Sequence, residues 1–271
     1  MRVVDWLWLG FAGMAIGSVA ILLFGWSRRT REEENEYLLH LFVCLTAMAS
    51  YLVMALGDGA LALADGRTFY FARYVDWAIT TPLLLCGLCL TAFGAPFRRW
   101  AVLLGIVFTD VYMIATGLFA GLSPTGSGQK WLWFLISSGA FAFIYLGLWG
   151  PVRREAVKTG ELAAAAFRTK AGALSLIWLL YPFVFLFGDE GTRGLDPVTT
   201  AAAYTVLDVV AKVVYGLASL AMTRARARRE QADGLIPEHD IRPAPIAYHE
   251  VHAPGRNEVA AGRTVGGDRL R

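Results

Sequence analysis

Seven apolar runs, each long enough to cross a bilayer, follow one another along the 271 residues and leave room for little else. They read as Trp6–Trp26, Tyr37–Leu56, Phe71–Phe93, Trp100–Ala120, Trp131–Trp149, Ala171–Gly188 and Thr199–Met222. Hydrophobic residues make up 56% of the chain and charged residues 17%, which argues against a soluble domain. The expected fold class is an all-α membrane protein, a seven-transmembrane-helix bundle over residues 1–223. Residues 224–271 turn to Arg, Ala, Pro and Gly without apolar periodicity and read as a disordered cytoplasmic tail. The first run is long and lacks a small-residue cleavage site, so it reads as a span rather than a signal peptide.

The arginines orient the bundle. The connections after runs one, three and five and the segment after run seven carry Arg28, Arg29, Arg31, then Arg98, Arg99, then Arg153, Arg154, Lys158, Arg168, Lys170, then Arg224, Arg226, Arg228 and Arg229. The other side has Arg2, Arg67, Lys130 and Arg193. By the positive-inside rule the N-terminus is outside and the C-terminus cytoplasmic, as in a multi-pass cell-membrane protein. The net charge of +3 then belongs to the loops and does not suggest nucleic acid. Gly57-Asp58-Gly59 and Asp65-Gly66 suggest a hairpin. Cys44, Cys86 and Cys89 lie in spans and read as small hydrophobes. His239, His249 and His252 are scattered in the tail, and no metal site is expected.

Within the last run sits Lys212, with Asp208 four residues earlier on the same helical face. Lys130, Lys158 and Lys170 fall in or beside polar connections, which leaves Lys212 as the lysine without a route to water along its own helix. An amine at bilayer depth is costly and marks function by default. Two readings fit: a structural ion pair, which often only offsets its own desolvation, or a lysine that forms a Schiff base with Asp208 as counter-charge. The third run aligns Arg73, Asp76 and Thr80 on one face, with Pro82 allowing a bend beyond them. Together with Lys212 and Asp208 these residues give two positive and two negative groups, a neutral cluster suited to low dielectric.

Arg73-Tyr74-Val75-Asp76-Trp77 with Thr80-Thr81-Pro82, then Trp178-Leu179-Leu180-Tyr181-Pro182, then Leu207-Asp208-Val209-Val210-Ala211-Lys212 resemble, in order and spacing, the microbial rhodopsins, in particular proton pumps of the bacteriorhodopsin and proteorhodopsin type. The resemblance spans Tyr51 to Gly216. It implies all-trans retinal bound to Lys212 as a protonated Schiff base, Asp76 as primary counterion and proton acceptor, and Asp208 as second counterion. Arg73 and Thr80 complete the pump face. Trp77, Trp178, Tyr181, Pro182 and Phe185 would clasp the chromophore, with Tyr51, Thr81, Leu84, Met113 and Gly117 around it. Phe185 stands where the family often has Trp, and Leu84 resembles the green-absorbing forms. The resemblance further implies a light-driven transporter rather than an enzyme, and a homo-oligomer, trimer or pentamer. Trp133 and Phe134 on the fifth helix argue against an open side window for a carotenoid antenna.

Gly87 departs from that pattern. Eleven residues after Asp76 the pumps carry a carboxylate that returns the proton from the cytoplasm, so the motif here is Asp76-Thr80-Gly87. His40, the histidine within a span, lies eleven residues before Tyr51 on the oppositely running second helix. The resemblance implies that Tyr51 lies near the level of Asp76; eleven residues rise about 16 Å and return to within about 20° of the same face, so on that footing His40 and Gly87 should share a depth. An imidazole suits reversible proton transfer, and His40 is the candidate donor, or part of it. Glu190 resembles one half of the family's release site; its partner position is Thr200, and Asp189 or Tyr74 are further candidates. Asp110 matches a structural carboxyl near the retinal ring. The leading function is a light-driven outward proton pump; the alternative is a photosensory rhodopsin with a slow photocycle that signals to a partner protein.

Overall fold

The computed structural model describes residues 1–26, 30–93 and 99–234. Arg28, Arg29, Arg98 and the tail from 235 onward, with His239, His249 and His252, lie outside the described residues. Seven long helices dominate: α1 Val3–Phe24, α2 Arg31–Ala55, α3 Phe71–Phe93, α4 Trp100–Leu122, α5 Gly128–Thr159, α6 Glu161–Phe187 and α7 Pro197–Ala232. Each is apolar enough to cross a membrane. Side chains such as Leu23, Phe108, Phe143 and Leu176 are about 70% exposed, far too apolar for water and suited to lipid tails. The expected hairpin between α2 and α3 forms as β1 Leu61–Ala62 and β2 Thr68–Phe69, antiparallel with Leu61 opposite Phe69. Successive helices run antiparallel, so among the described residues Arg99, Arg153, Arg154, Arg224 and Arg226 share one end of the bundle, the basic end, and the hairpin lies at the other.

Helix ends follow capping chemistry rather than hydropathy, and here the sequence expectation needs correction. α2 begins at Arg31 rather than Tyr37 because Thr30 caps it reciprocally: Glu33 N donates to Thr30 Oγ1 (3.3 Å) and Thr30 N to Glu33 Oε2 (2.7 Å). At α7 the Asp196 carboxylate accepts from Val198 N (2.9 Å) and Thr199 N (3.0 Å), and Pro197 occupies the first helical position, where no N–H is needed. α5 continues to Thr159 through a π-helical stretch, Leu148–Val152, around Pro151. Gly160, at φ 137°, turns the chain into α6. α7 continues past Met222 to Ala232, into the segment expected to be tail.

These longer helices change the standing of two lysines. Lys130 and Lys170 are not in polar connections; each sits inside a helix with its side chain turned inward, 0% and 1% exposed. Lys130 Nζ donates to the Ala120 carbonyl (2.9 Å) and the Glu190 carbonyl (2.5 Å), which ties α4 to the α6–α7 loop. Lys170 pairs with Glu36 of α2. Lys212 is therefore one of three buried amines among the described residues.

Close approach is bought by glycine where large residues cross. A Cβ at Gly10 of α1 would lie 2.3 Å from the Tyr51 ring of α2, so only hydrogen fits there. At the hairpin end Asp65 accepts from Arg67 Nε (2.8 Å), Thr125 N (3.1 Å) and Thr125 Oγ1 (3.1 Å), joining the hairpin to the α4–α5 loop. Desolvation pushes its carboxyl upward, but these hydrogen bonds and the Arg67 charge outweigh it and hold Asp65 well below the usual carboxylate range. A depressed acid stabilises the fold fully above its unfolded value of 3.8, and that contribution is lost as pH falls through the lower, folded value. Asp65→Asn is accordingly expected to lower the melting temperature by about 2–4 °C at pH 7, with the gap to the parent closing in strong acid, read by thermal unfolding across pH.

Candidate functional site

Halfway along α7 the backbone loosens into a π-helical turn, Val210–Val214, and Lys212 lies within it. Such turns shift the register of the carbonyls, and one of them, Lys212 O, faces Cys44 Sγ of α2 at 3.8 Å. The Lys212 side chain, 2% exposed, points to the bundle axis. Its Nζ donates to Asp76 Oδ2 of α3 and lies 3.4 Å from Asp208 Oδ1. Two carboxylates thus face one amine, in a region where an uncompensated charge would be prohibitive.

The carboxylates differ in how firmly they are held. Asp208 accepts from Tyr51 Oη on Oδ2 (2.7 Å), and from Trp77 Nε1 (3.1 Å) and Tyr181 Oη (2.9 Å) on Oδ1. Those three donors come from α2, α3 and α6 and have Asp208 as their common acceptor. Asp76, 1% exposed, has Lys212 on Oδ2 and an unpartnered Oδ1. Thr80, expected beside Asp76, is buried there and donates to the Asp76 backbone carbonyl (2.8 Å).

Beyond Lys212 Nζ opens a cavity that is apolar along its walls. Trp77, Trp178, Tyr181, Pro182 and Phe185 line it, as expected. Thr81, Leu84, Met113 and Gly117 complete the floor and sides. Pro182 cannot donate to the carbonyl four residues back, and α6 is interrupted by a turn at Leu179, next to that residue, Trp178. Phe134 of α5 stacks on Phe185 at 5.2 Å and 12°, and both rings line the cavity. The Thr81 hydroxyl sits 2.6 Å from Asp110 Oδ2 beneath this cavity.

The four-membered neutral cluster expected from the sequence resolves into two. Arg73, 3% exposed, makes its ion pair with Glu190 (3.6 Å) rather than with Asp76 or Asp208, and its guanidinium lies 4.4 Å from the Tyr204 ring centre. One helical turn separates Arg73 from Asp76, and Tyr204 and Glu190 hold the long side chain toward the hairpin end. Glu190 is not a solvated loop acid: it is 6% exposed and accepts from Tyr74 Oη (2.5 Å). Burial pushes its carboxyl above the usual range, against the pull of Arg73 and the Tyr74 hydrogen bond. Thr200 donates to the Asp196 carbonyl and accepts from Asp189 N, so its hydroxyl serves the loop backbone.

His40 lies toward the basic end, 3% exposed. Its ring meets Tyr215 edge-on (5.9 Å) and covers Gly216 of α7, where a Cβ would lie 3.1 Å from Nδ1. The space at Gly87 is faced by Leu39 (3.9 Å) instead. The helical arithmetic places His40 on an inward face, but rotation of α2 directs it to α7. Sequence reasoning missed Tyr204 and Glu36, and it read Lys170 as part of a polar connection. Tyr204 is an aromatic in an apolar run with no local signal, and Glu36 and Lys170 sit at ends that hydropathy had trimmed away.

Comparison with known proteins agrees with this arrangement. A family model described as bacteriorhodopsin-like protein matches residues 3–225. Bacteriorhodopsin of Haloterrigena sp. (strain arg-4) is 38% identical, covering 78% of this chain and 84% of that protein. Archaerhodopsin-2 of Halobacterium sp. (strain aus-2) is 35% identical, over 82% and 84%. Among solved structures, the thermophilic rhodopsin from Rubrobacter xylanophilus superposes with a TM-score of 0.78 at 36% identity, covering 83% of this chain and 98% of that one. The light-driven proton pump of Leptosphaeria maculans gives 0.76 at 32%, over 83% and 95%. A buried lysine on the seventh helix, an aromatic slot beside it and a match along the whole bundle lead to one conclusion: the chain belongs to the bacteriorhodopsin-like family of seven-helix, multi-pass cell-membrane proteins, light-driven ion transporters and photoreceptors with a retinal chromophore.

Proposed function

We propose that this protein is a light-driven outward proton pump in which Lys212 Nζ holds all-trans retinal, Asp76 takes the proton, and the basic end of the bundle faces the cytoplasm. The observation that carries the reading is the inequality of the two carboxylates. Asp208 is committed to Tyr51, Trp77 and Tyr181, whereas Asp76 has a free oxygen and a direct contact with the Lys212 nitrogen. A proton leaving that nitrogen therefore goes to Asp76, and Asp208 stays charged as the fixed counter-ion.

The residues present fit the chromophore. The cavity begins at Lys212 Nζ, its walls are mostly aromatic and aliphatic, and its polar side chains are few: those of the lysine end, Thr81, and Ser137 and Ser138 of α5, with the Ser137 hydroxyl donated to the Met113 carbonyl (2.8 Å). Bound there, retinal supplies a light-driven change in the basicity of the Lys212 nitrogen. Asp110 keeps its proton in this reading and donates to Thr81, whose own hydroxyl proton goes to the Trp77 carbonyl (2.8 Å). Arg73 pairs with Glu190 toward the outer end; in this reading a proton arriving on Asp76 weakens the pull of the central anions on Arg73, and Glu190, buried beside Tyr74, is the proposed release group. His40 serves as donor, or part of it, for the return of a proton to Lys212 from the cytoplasm. Leu84, Leu85, Leu88 and Trp178 pack the span between with apolar surface, which keeps that return path closed in the resting protein.

A second reading rests on Gly87, which removes the carboxylate expected on α3: a slow photosensory rhodopsin that signals to a partner protein. Illumination of retinal-supplied cells separates the two. External acidification that a protonophore abolishes supports pumping; an intact slow photocycle without any pH change supports the sensor.

Lys212→Ala should abolish the visible absorption band altogether. Asp76→Asn should retain pigment, shift its absorption and cut proton transport at least tenfold, measured by flash photolysis and light-driven pH change. Glu190 is a raised acid and so holds its proton to higher pH than a free glutamate. Glu190→Gln should delay the appearance of the proton outside until the end of the cycle, followed with a pH-sensitive dye. His40→Ala should slow the late return of the proton to Lys212 without affecting its departure.

A further inference from the structure

Glu36 lies fully inside the basic end of the bundle, 1% exposed, and no step described above uses it. Four donors converge on it from three other helices. Oε1 accepts from Lys170 Nζ of α6 (2.5 Å) and Thr91 Oγ1 of α3 (2.9 Å); Oε2 accepts from Ser219 Oγ (3.1 Å) and Thr223 Oγ1 (2.8 Å) of α7. Lys170 completes its own shell on Thr91 (3.2 Å) and Thr223 (2.6 Å). A carboxylate whose lone pairs are all occupied, one of them by an ammonium, is held as an anion and is a poor proton carrier. It is a fixed charge, and a fixed charge acts on what lies next to it.

What lies next to it is His40, four residues on and so one turn away on the same face of α2. Nδ1 of that imidazole is buried without a partner. The charges acting on the ring are those of Glu36 and Lys170. Otherwise α2 offers the Cys44 thiol one turn further on, α7 the Tyr215 phenol against the ring, and α3 carries no charged residue between Asp76 and its end at Phe93. α1 has Asp5 alone, at the opposite end. Glu32 and Glu33 form a separate outer layer with Arg226 and Arg224.

We propose that Glu36 and Lys170 are positioning residues that set how readily His40 takes a proton from the cytoplasm. The Glu36 anion offsets the desolvation that opposes an imidazolium at this depth, and the Lys170 ammonium trims that effect and locks the carboxylate in place. Donor strength is thus divided between the His40 carrier and a fixed ion pair that joins α2 to α6, replacing the single carboxylate absent at Gly87. This inference rests on His40 being a station on the return path.

The test is the pH profile of the late proton return to Lys212 in retinal-loaded full-length protein, with the His40 imidazole followed by nitrogen NMR in the dark as a second readout. His40→Asn should remove the pH-dependent step; if it does not, the donor reading and this inference both fall. Given that dependence, Glu36→Gln should move the His40 midpoint about one unit toward acid, and Lys170→Met about one unit toward alkali. The double variant should fall between them. Opposite shifts separate tuning from mere loosening of the bundle, which would move both variants in one direction and would overturn the proposal, as would unchanged midpoints. The dark absorption band reports folding. Should Lys170→Met give no pigment, Glu36→Gln decides alone: an acid shift supports the proposal, and no shift or an alkaline one refutes it.

Discussion

The charge on Lys212 organises the middle of the molecule. An ammonium removed from water is tolerable only with anions beside it, and its two anions make demands of their own. Asp76 brings α3 against α7. Asp208 requires three further donors, and Tyr51, Trp77 and Tyr181 draw α2, α3 and α6 to the same point. In a bilayer there is no hydrophobic force between helices, so satisfied polar contacts and close packing must fix their arrangement. Removing one partner would leave a buried charge exposed to a dry interior, which is why the cluster constrains the bundle as well as its chemistry.

Along the axis the ion-paired groups of the bundle interior, inside the outer layer of Glu32, Glu33, Arg224 and Arg226, form three separate layers rather than a continuous wire. Glu190 with Arg73 and Tyr74 lies toward the hairpin, Lys212 with its carboxylates in the middle, and Glu36 with Lys170 at the basic end. Between the middle and basic layers the packing is dry apart from His40, among Leu84, Leu88, Trp178 and Tyr215. A transporter that must not leak needs such an interruption in the dark, and it needs groups on both sides that can hold a charge until the interruption opens. The asymmetry between a clamped Asp208 and a half-free Asp76 gives the middle layer its proposed direction.

Local chemistry made much of this legible. Asp208 and Lys212 share a face by spacing alone, and Arg73, Asp76 and Thr80 do the same on α3. The aromatic residues around Pro182 were recognisable from their order. Other features depend on partners distant in sequence. Nothing near Lys170 announces that it reaches Glu36, 134 positions earlier, and its place beside a run of polar residues suggested a loop. Arg73 could have satisfied Asp76 on paper; the Tyr204 ring and Glu190, both far along the chain, draw it the other way. Phe134 was legible as bulk that argues against an open side window, but not as the ring that stacks on Phe185 in the cavity wall.

The sequence by itself determined the number of helices, their apolar character and the face each polar residue shares with its neighbours, because hydropathy and the 3.6-residue period act within one segment. Tertiary structure alone decided which faces meet. It turned His40 to Gly216 instead of Gly87, separated Arg73 from the lysine cluster, and buried Lys130 and Lys170. The physical reason is that rotation of a helix about its axis costs little within the helix and is settled by the partners its polar groups find on other helices, where hydrogen bonds unmade in lipid are too costly to leave.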